Sequence, residues 1–284
     1  MRRLLLKFVR SVYYPLYRLK LRLQFYIADH LRLASRPVEN AAMPPAVLRF
    51  RVGETIDRRV FAAVGRNASD DIESALVRIG RPMESHRSVL DFGCGCGRVV
   101  APLAKRYPNI GFSGTDVDTE AIEWSRAHLP AITFQTNGPL PPLSYADHEF
   151  DLVYCISVFT HLSSEHARQW LPELRRVLRP GGTLLVTVHG KQTWSSLPAE
   201  RRSRVEREGH LFSVSSKLRG IVPDWYHTAY YSQSYVSELI SEYFEVLAYS
   251  PCGLGYQDIV VAVPRLDEQV RSASSKLLHG PTPR

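Results

Sequence analysis

Residues 89–98 read Val-Leu-Asp-Phe-Gly-Cys-Gly-Cys-Gly-Arg, and no other stretch limits the possible folds as much. An apolar run with the look of a buried strand leads straight into glycines at alternate positions, Gly93, Gly95 and Gly97. A loop without side chains lets a ligand lie against the backbone and lets the next helix pack tightly. The alternating Cys94 and Cys96 offer a metal site as the competing reading. Zinc would need a second close pair of Cys or His, and Cys155 and Cys252 stand alone, so the glycine reading is the better one. The spacing is GxGxG rather than the dinucleotide fingerprint GxGxxG, because Arg98 stands where the last glycine would fall. No Lys-Ser/Thr follows, which excludes a triphosphate cradle.

From residue 88 onward strands and helices alternate, which implies a parallel sheet with right-handed crossovers. The pattern predicts strands at 88–92, 110–115, 132–135, 151–158 and 183–188, and helices at 98–107 and 118–129. Residues 151–158, Asp-Leu-Val-Tyr-Cys-Ile-Ser-Val, lack polar alternation and read as a strand covered on both faces. In the helix that follows, Ala167, Trp170, Leu171, Leu174, Val177 and Leu178 form a core-facing stripe. Pro172 is expected to kink that helix or split it in two. A helix at 233–241 and strands at 244–249 and 258–263 close the domain.

In a doubly wound sheet, ligands bind beyond the carboxyl ends of the strands where strand order reverses. Asp116 ends the second predicted strand, where a carboxylate can accept hydrogen bonds from ribose hydroxyls. Asp116-Val117-Asp118 also spells a D-x-D metal motif, although Asp118 is more simply the N-cap of the next helix. Asp91 to Gly97, Asp116, Phe150-Asp151-Leu152-Val153, and Leu178-Arg179-Pro180-Gly181-Gly182 together resemble the class I S-adenosylmethionine-dependent methyltransferases over roughly residues 85–190. The resemblance implies an α/β fold: a doubly wound, seven-stranded, mostly parallel, Rossmann-like sheet. It implies S-adenosyl-L-methionine as cofactor and no metal. Asp91 would approach the cofactor's amino group, and Gly93, Cys94, Gly95 and Gly97 would pass beneath its methionine and ribose. Asp116 and Val117 would hold the ribose, and Cys155 and Ile156 would border the transferred methyl. The family often has an acid after strand three to hold the adenine amine; here Asn137 stands in that place.

An oxygen acceptor can require a general base. His161, just after the fourth strand, is the first candidate, with bracing of the loop as its alternative role, and His227 is the second. The aromatic segment from Trp225 to Tyr231 is expected to wall the acceptor. The Asn/Asp-Pro-Pro-aromatic motif of amino-methylating nucleic-acid enzymes is absent, as is the Pro-Cys nucleophile used on cytosine. Ser157 to Leu162 and Gln257 to Val261 are similar to bacterial methyltransferases of surface-polysaccharide or lipid-linked glycan modification. The expected acceptor is therefore a glycan, a glycolipid or a small molecule. A catalytically silent cofactor-binding scaffold and an N- or protein methyltransferase remain the alternatives.

The net charge of +8 is confined to one end. Residues 1–36 hold nine Lys/Arg against one acid, leaving 27 basic and 27 acidic residues for the rest. A neutral body offers no continuing basic track for nucleic acid. Within this arm Leu5, Val9, Val12, Leu16, Leu19, Leu23 and Tyr26 fall at 4-3 spacing, one face of a helix, which Pro15 should kink. Its apolar runs are too short to span a bilayer or serve as a signal peptide. The arm is expected either to lie on an anionic membrane surface or to pack on the body. The cysteine usage suggests a reduced, cytoplasmic protein, associated with the inner face of the membrane if the first alternative holds. The divisions read as a basic amphipathic arm (1–42), a helical lead-in (43–87), a methyltransferase domain (88–264, with 189–231 as an acceptor-side insertion) and a flexible tail (265–284).

Overall fold

Val89, Leu90, Asp91 and Phe92 are all buried, and a strand covered on both faces needs a partner on each edge. In the computed structural model, which describes residues 9–30, 42–214, 218–222 and 226–266, β1 (Ser88–Phe92) pairs in parallel with β2 (Gly111–Asp116) and with β4 (Phe150–Cys155). β3 (Thr133–Thr136) extends the β2 side and β5 (Leu178–Val188) the β4 side, again in parallel. The chain returns through β8 (Phe244–Leu254) and β9 (Gln257–Pro264), with β9 antiparallel to both β5 and β8. The order β3-β2-β1-β4-β5-β9-β8 is the expected doubly wound, mostly parallel, seven-stranded sheet.

Side-chain alternation sends successive strand residues to opposite faces, and each face buries its own cluster. Leu90, Phe92, Val153, Val186 and Val260 meet α6 (Ser164–Val177) and α9 (Gln233–Ser241). Val89, Leu152, Tyr154, Leu185 and Val261 meet α3 (Arg58–Arg78) and α4 (Val100–Arg106), with Ile122 from α5 (Thr119–His128) joining them. The lead-in thus supplies part of the sheet's cover, because Ile72 and Leu76 of α3 are fully buried there. Asp57 starts α3 by accepting the amides of Arg59 and Val60, a side-chain N-cap. Before it, α2 (Ala46–Gly53) carries the chain across the glycine loop.

Three features differ from the sequence expectations. Pro172 does not split α6, which runs unbroken from a Ser163 cap at the His166 amide. Ala167, Trp170, Leu171, Leu174 and Val177 are buried on both sides of the proline, and that continuous burial outweighs one missing backbone hydrogen bond. β4 stops at Cys155 rather than Val158 because Ser157 has a left-handed backbone, φ 62°. The irregular stretch 189–231 contains α7 (Lys191–Trp194), α8 (Ala199–Glu208) and a separate ribbon in which β6 (His210–Ser213) pairs antiparallel with β7 (Thr228–Tyr231).

The arm is helical where it is described. A π-helical turn over Val9–Tyr13 leads into α1 (Tyr14–His30). The widened turn sits directly before Pro15, whose missing amide cannot close an ordinary turn. Residues 1–8, which include Leu5, and 31–41 lie outside the described residues, as do 267–284 of the expected tail. Arg265, the first residue of that tail, donates to the carbonyls of Ser241 and Phe244. Among the described residues no helix is long and apolar enough to cross a membrane.

Candidate active site

Strand order reverses between β1 and β4, so the loops leaving these two strands diverge and open a crevice. A cavity of about 960 Å³ lies there, lined by the glycine loop, the end of β2, the loop after β4, the end of α2, and the β6–β7 ribbon. The glycine loop is held from below. The amides of Gly93 and Cys94 both donate to the Thr115 carbonyl, at 2.7 and 3.0 Å. Gly93 has φ 79°, and a Cβ there would stand 2.2 Å from Val158 Cγ2. At Gly95 φ is 53° and a Cβ would stand 2.5 Å from Val52 Cγ2 of α2. These glycines therefore let the loop after β4 and the lead-in helix close onto the turn, in addition to baring the backbone. Gly97 does not line the cavity and packs instead against Leu129 and Phe134.

Asp116 organises the second wall. Its Oδ2 accepts the Gly95 amide at 2.7 Å and its Oδ1 accepts the Asp118 amide at 2.8 Å. Each oxygen keeps a lone pair for a further donor. Burial pushes its pKa up to about 6, against the amide bonds that favour the charged form. Val117 lines the cavity beside it. Asp118 caps α5 through the Ala121 amide and pairs with Arg51. At the floor, Asp91 is buried and its Oδ2 has no hydrogen-bond partner. Burial drives its pKa up to about 8; the Tyr154 hydroxyl opposes this and the Asp116 charge adds to it. Arg98 also lines the cavity, over the Phe61 ring, with a buried Nε that has no partner.

Of the other expected cofactor contacts, Cys94, Asn137 and Ile156 line the cavity. The Asn137 side-chain oxygen accepts the Thr115 hydroxyl at 2.8 Å, and its amide nitrogen donates to the Gly138 carbonyl. Cys155 does not border the cavity. It is the last residue of β4 and is buried with Leu90 and Phe159, in the cluster opposite to that of Ile156. Cys94 and Cys96 likewise point into separate cores, one with Val89 and Val100, the other with Leu48 and Phe61. Burial raises both thiols, Cys96 to about 12. Among the described residues no group of His, Cys, Asp and Glu gathers as a metal site.

The acceptor side is a cluster of imidazoles and rings. His161 and His227 both line the cavity, and they are linked to each other through backbone: His161 Nδ1 hydrogen-bonds to the His227 carbonyl. A carbonyl cannot donate, so Nδ1 carries the hydrogen and Nε2 is left with a lone pair. His189, at the end of β5, repeats the device, with Nδ1 3.1 Å from the Ala229 carbonyl. Burial lowers both pKa values, that of His189 to about 4, so both rings are neutral at pH 7. The Tyr226 ring stands 4.2 Å from His161, and His189 lies between Tyr230 and Tyr256. Trp225 lies outside the described residues. Beneath them Ser157 is held in its left-handed turn by the Thr187 hydroxyl at its amide and by Gln257 at its own hydroxyl.

From the sequence, neither Arg98 nor His189 is assigned a place in the cavity, and Gln257 enters only as the start of a stretch similar to bacterial methyltransferases. His189 carried a signal, since it closes a predicted strand at its carboxyl end, the edge where ligands gather. Arg98 and Gln257 carried none beyond their neighbours.

Residues 89–182 match a family model described as a methyltransferase domain. This stretch is a methyltransferase domain, set in a sheet of the class I order. A trans-aconitate 2-methyltransferase of Methylobacterium radiotolerans is 34% identical over 105 residues, covering 37% of this chain and 39% of the relative. An uncharacterized 37.1 kDa transposon protein of Streptomyces fradiae is 32% identical over 191 residues, 66% of this chain and 50% of the relative. This chain thus spans half or less of the length of these curated relatives. Among solved structures, a Pyrococcus horikoshii protein shares the fold at TM-score 0.52 and 21% identity, over 70% of this chain and 91% of that one.

Proposed function

We propose that this methyltransferase uses S-adenosyl-L-methionine to O-methylate a glycan, a glycolipid or a small molecule by direct in-line transfer. The observation that carries the reading is the meeting of Asp91, the glycine loop and Asp116 in one cavity with imidazoles held neutral across from them. The residues present fit the cofactor. Asp91 Oδ2 is a buried acceptor without a donor, suited to an ammonium. The free lone pairs of Asp116 suit ribose hydroxyls, and the bound cofactor would supply an already activated methyl group.

What remains for the chain is alignment, exclusion of water and removal of one proton. The bound cofactor would give its methyl group to the acceptor oxygen and leave as the neutral sulfide, and an imidazole Nε2 would take the hydroxyl proton. His161 is the proposed base and His227 positions it through its carbonyl. Transfer of labelled methyl from S-adenosylmethionine to lipid, polysaccharide, protein, nucleic-acid and small-molecule fractions of source cells tests the reading. Label in the lipid, polysaccharide or small-molecule fraction is expected. Label in protein or nucleic acid sinks the acceptor assignment, and none from folded protein favours a silent scaffold.

The raised carboxylates make cofactor affinity depend on pH. Asp91 rises from 3.8 when unfolded to about 8 in the fold, so it holds a proton at pH 7 that must leave before an ammonium can pair with it. S-adenosylhomocysteine should therefore bind about tenfold more tightly for each unit of pH gained up to 8. The ligand-free protein should lose stability as pH rises through the same window, from about 4 to about 8, because the folded state binds the extra proton. Calorimetry across pH 6 to 8 checks both trends, and Asp91→Asn should flatten them.

A further inference from the structure

α1 presents two opposed apolar faces. Tyr17, Leu21, Phe25 and Ala28 pack against Ala46, Phe50, Ile221 and Val222. The arm is fixed there by Asp29, which accepts the Ala46 amide at 2.9 Å and pairs with Arg49, and by Arg22, which donates to the Gly220 carbonyl. On the other side Val12, Leu16, Leu19, Leu23 and Tyr26 are 42%, 61%, 65%, 58% and 58% exposed. Their 4-3-4-3 spacing makes one ridge about 21 Å long. Lys20 and Arg22, both exposed, stand one on each flank of the Leu19–Leu23 section.

We propose that this ridge docks the chain on an anionic phospholipid surface, with the α1 axis parallel to the bilayer plane. Among the described residues none covers the ridge, since the opposite face of the same helix is the one the body holds. A membrane-spanning role is closed to α1 by its length and charge. The occupant follows from charge. Residues 1–36 carry nine Lys/Arg against one acid while the remainder is balanced at 27 and 27, so a basic arm on a neutral body favours anionic headgroups, with apolar side chains beneath them. A second copy fits poorly, since pairing two ridges would bring both sets of basic flanks together. On the inner side, Tyr226 of the cavity wall packs against the same cluster as Ile221 and Val222, which grip α1, and this places docking next to the acceptor side. The inference rests on the arm and not on the methyl-transfer reading.

Sedimentation of the full chain with phosphatidylcholine vesicles, with and without phosphatidylglycerol, tests it. The protein is expected to pellet with the anionic vesicles only and to be released by salt. Joint Leu16→Gln, Leu19→Gln and Leu23→Gln substitution should lower partitioning roughly a hundredfold, leaving the melting temperature and S-adenosylhomocysteine affinity unchanged, since all three side chains are solvent-facing. Three results would overturn the proposal: no binding to anionic vesicles at low salt, equal binding by the triple variant, or a dimer in solution that the triple variant dissociates, which would assign the ridge to a second copy.

Discussion

Asp116→Ala is expected to weaken S-adenosylhomocysteine binding by roughly a hundredfold or more, because two hydrogen bonds to a charged acceptor together contribute about 3 kcal/mol or more. The same change leaves the amides of Gly95 and Asp118 without the oxygens that hold them at 2.7 and 2.8 Å. Those amides shape the glycine loop, so the melting temperature should fall too. Asp116→Asn separates the two effects. It keeps one carbonyl acceptor for a loop amide but turns the other position into a donor, and it removes the charge that a ribose diol prefers. The asparagine variant should therefore recover part of the melting temperature and little of the affinity. Calorimetry of both variants, each shown to be folded, decides the matter. Unchanged affinity in Asp116→Ala would place the cofactor elsewhere.

The parts of this site that the sequence revealed are those whose signal is local. Gly93 and Gly95 follow a run of buried residues, and Asp116 ends the next one, so strand periodicity alone brings them to one edge of a parallel sheet. The stripe on α6 was equally plain, and of the two outcomes expected at Pro172 the split fails because the burial around it outweighs a single lost hydrogen bond. Cys155 was assigned to the cavity together with Ile156, although neighbours on a strand face opposite ways. The ribbon of β6 and β7 escaped notice for a different reason. Its strands have four residues each, are rich in His, Phe and Tyr, and pair across a connection of 14 residues, so neither period nor turn chemistry announces them. The role of Val52 was beyond reach as well, since its approach to Gly95 joins segments far apart in the chain. At the arm, one apolar stripe was read as docking on either lipid or body. The structure supplies two faces, and the body takes the one built from Leu21 and Phe25.

Substituting His161 by glutamine is expected to lower kcat about a hundredfold to ten-thousandfold, the usual range for loss of a general base, while leaving S-adenosylhomocysteine affinity within about twofold. His161 and His189 each donate Nδ1–H to a backbone carbonyl, of His227 and Ala229 respectively, and so both present Nε2 as a base. The pKa of His189 is pushed down to about 4 by burial, which makes it a poor proton acceptor near neutral pH. His161 is lowered by the same cause, and each ring regains part of the loss through the backbone carbonyl it bonds. With His161 as the base, His189→Gln should cost less than His161→Gln. The sign of the pH profile follows from the lowered pKa: a neutral imidazole is the active form, so kcat at saturating S-adenosylmethionine should persist at pH 6.5, where a free histidine is half protonated, and fail only in more acid solution. If His161→Gln keeps both kcat and this acid limb, the ring merely braces the loop after β4, and the proton leaves to water or to His189. A double variant that then loses activity would assign the base to His189, at the end of β5.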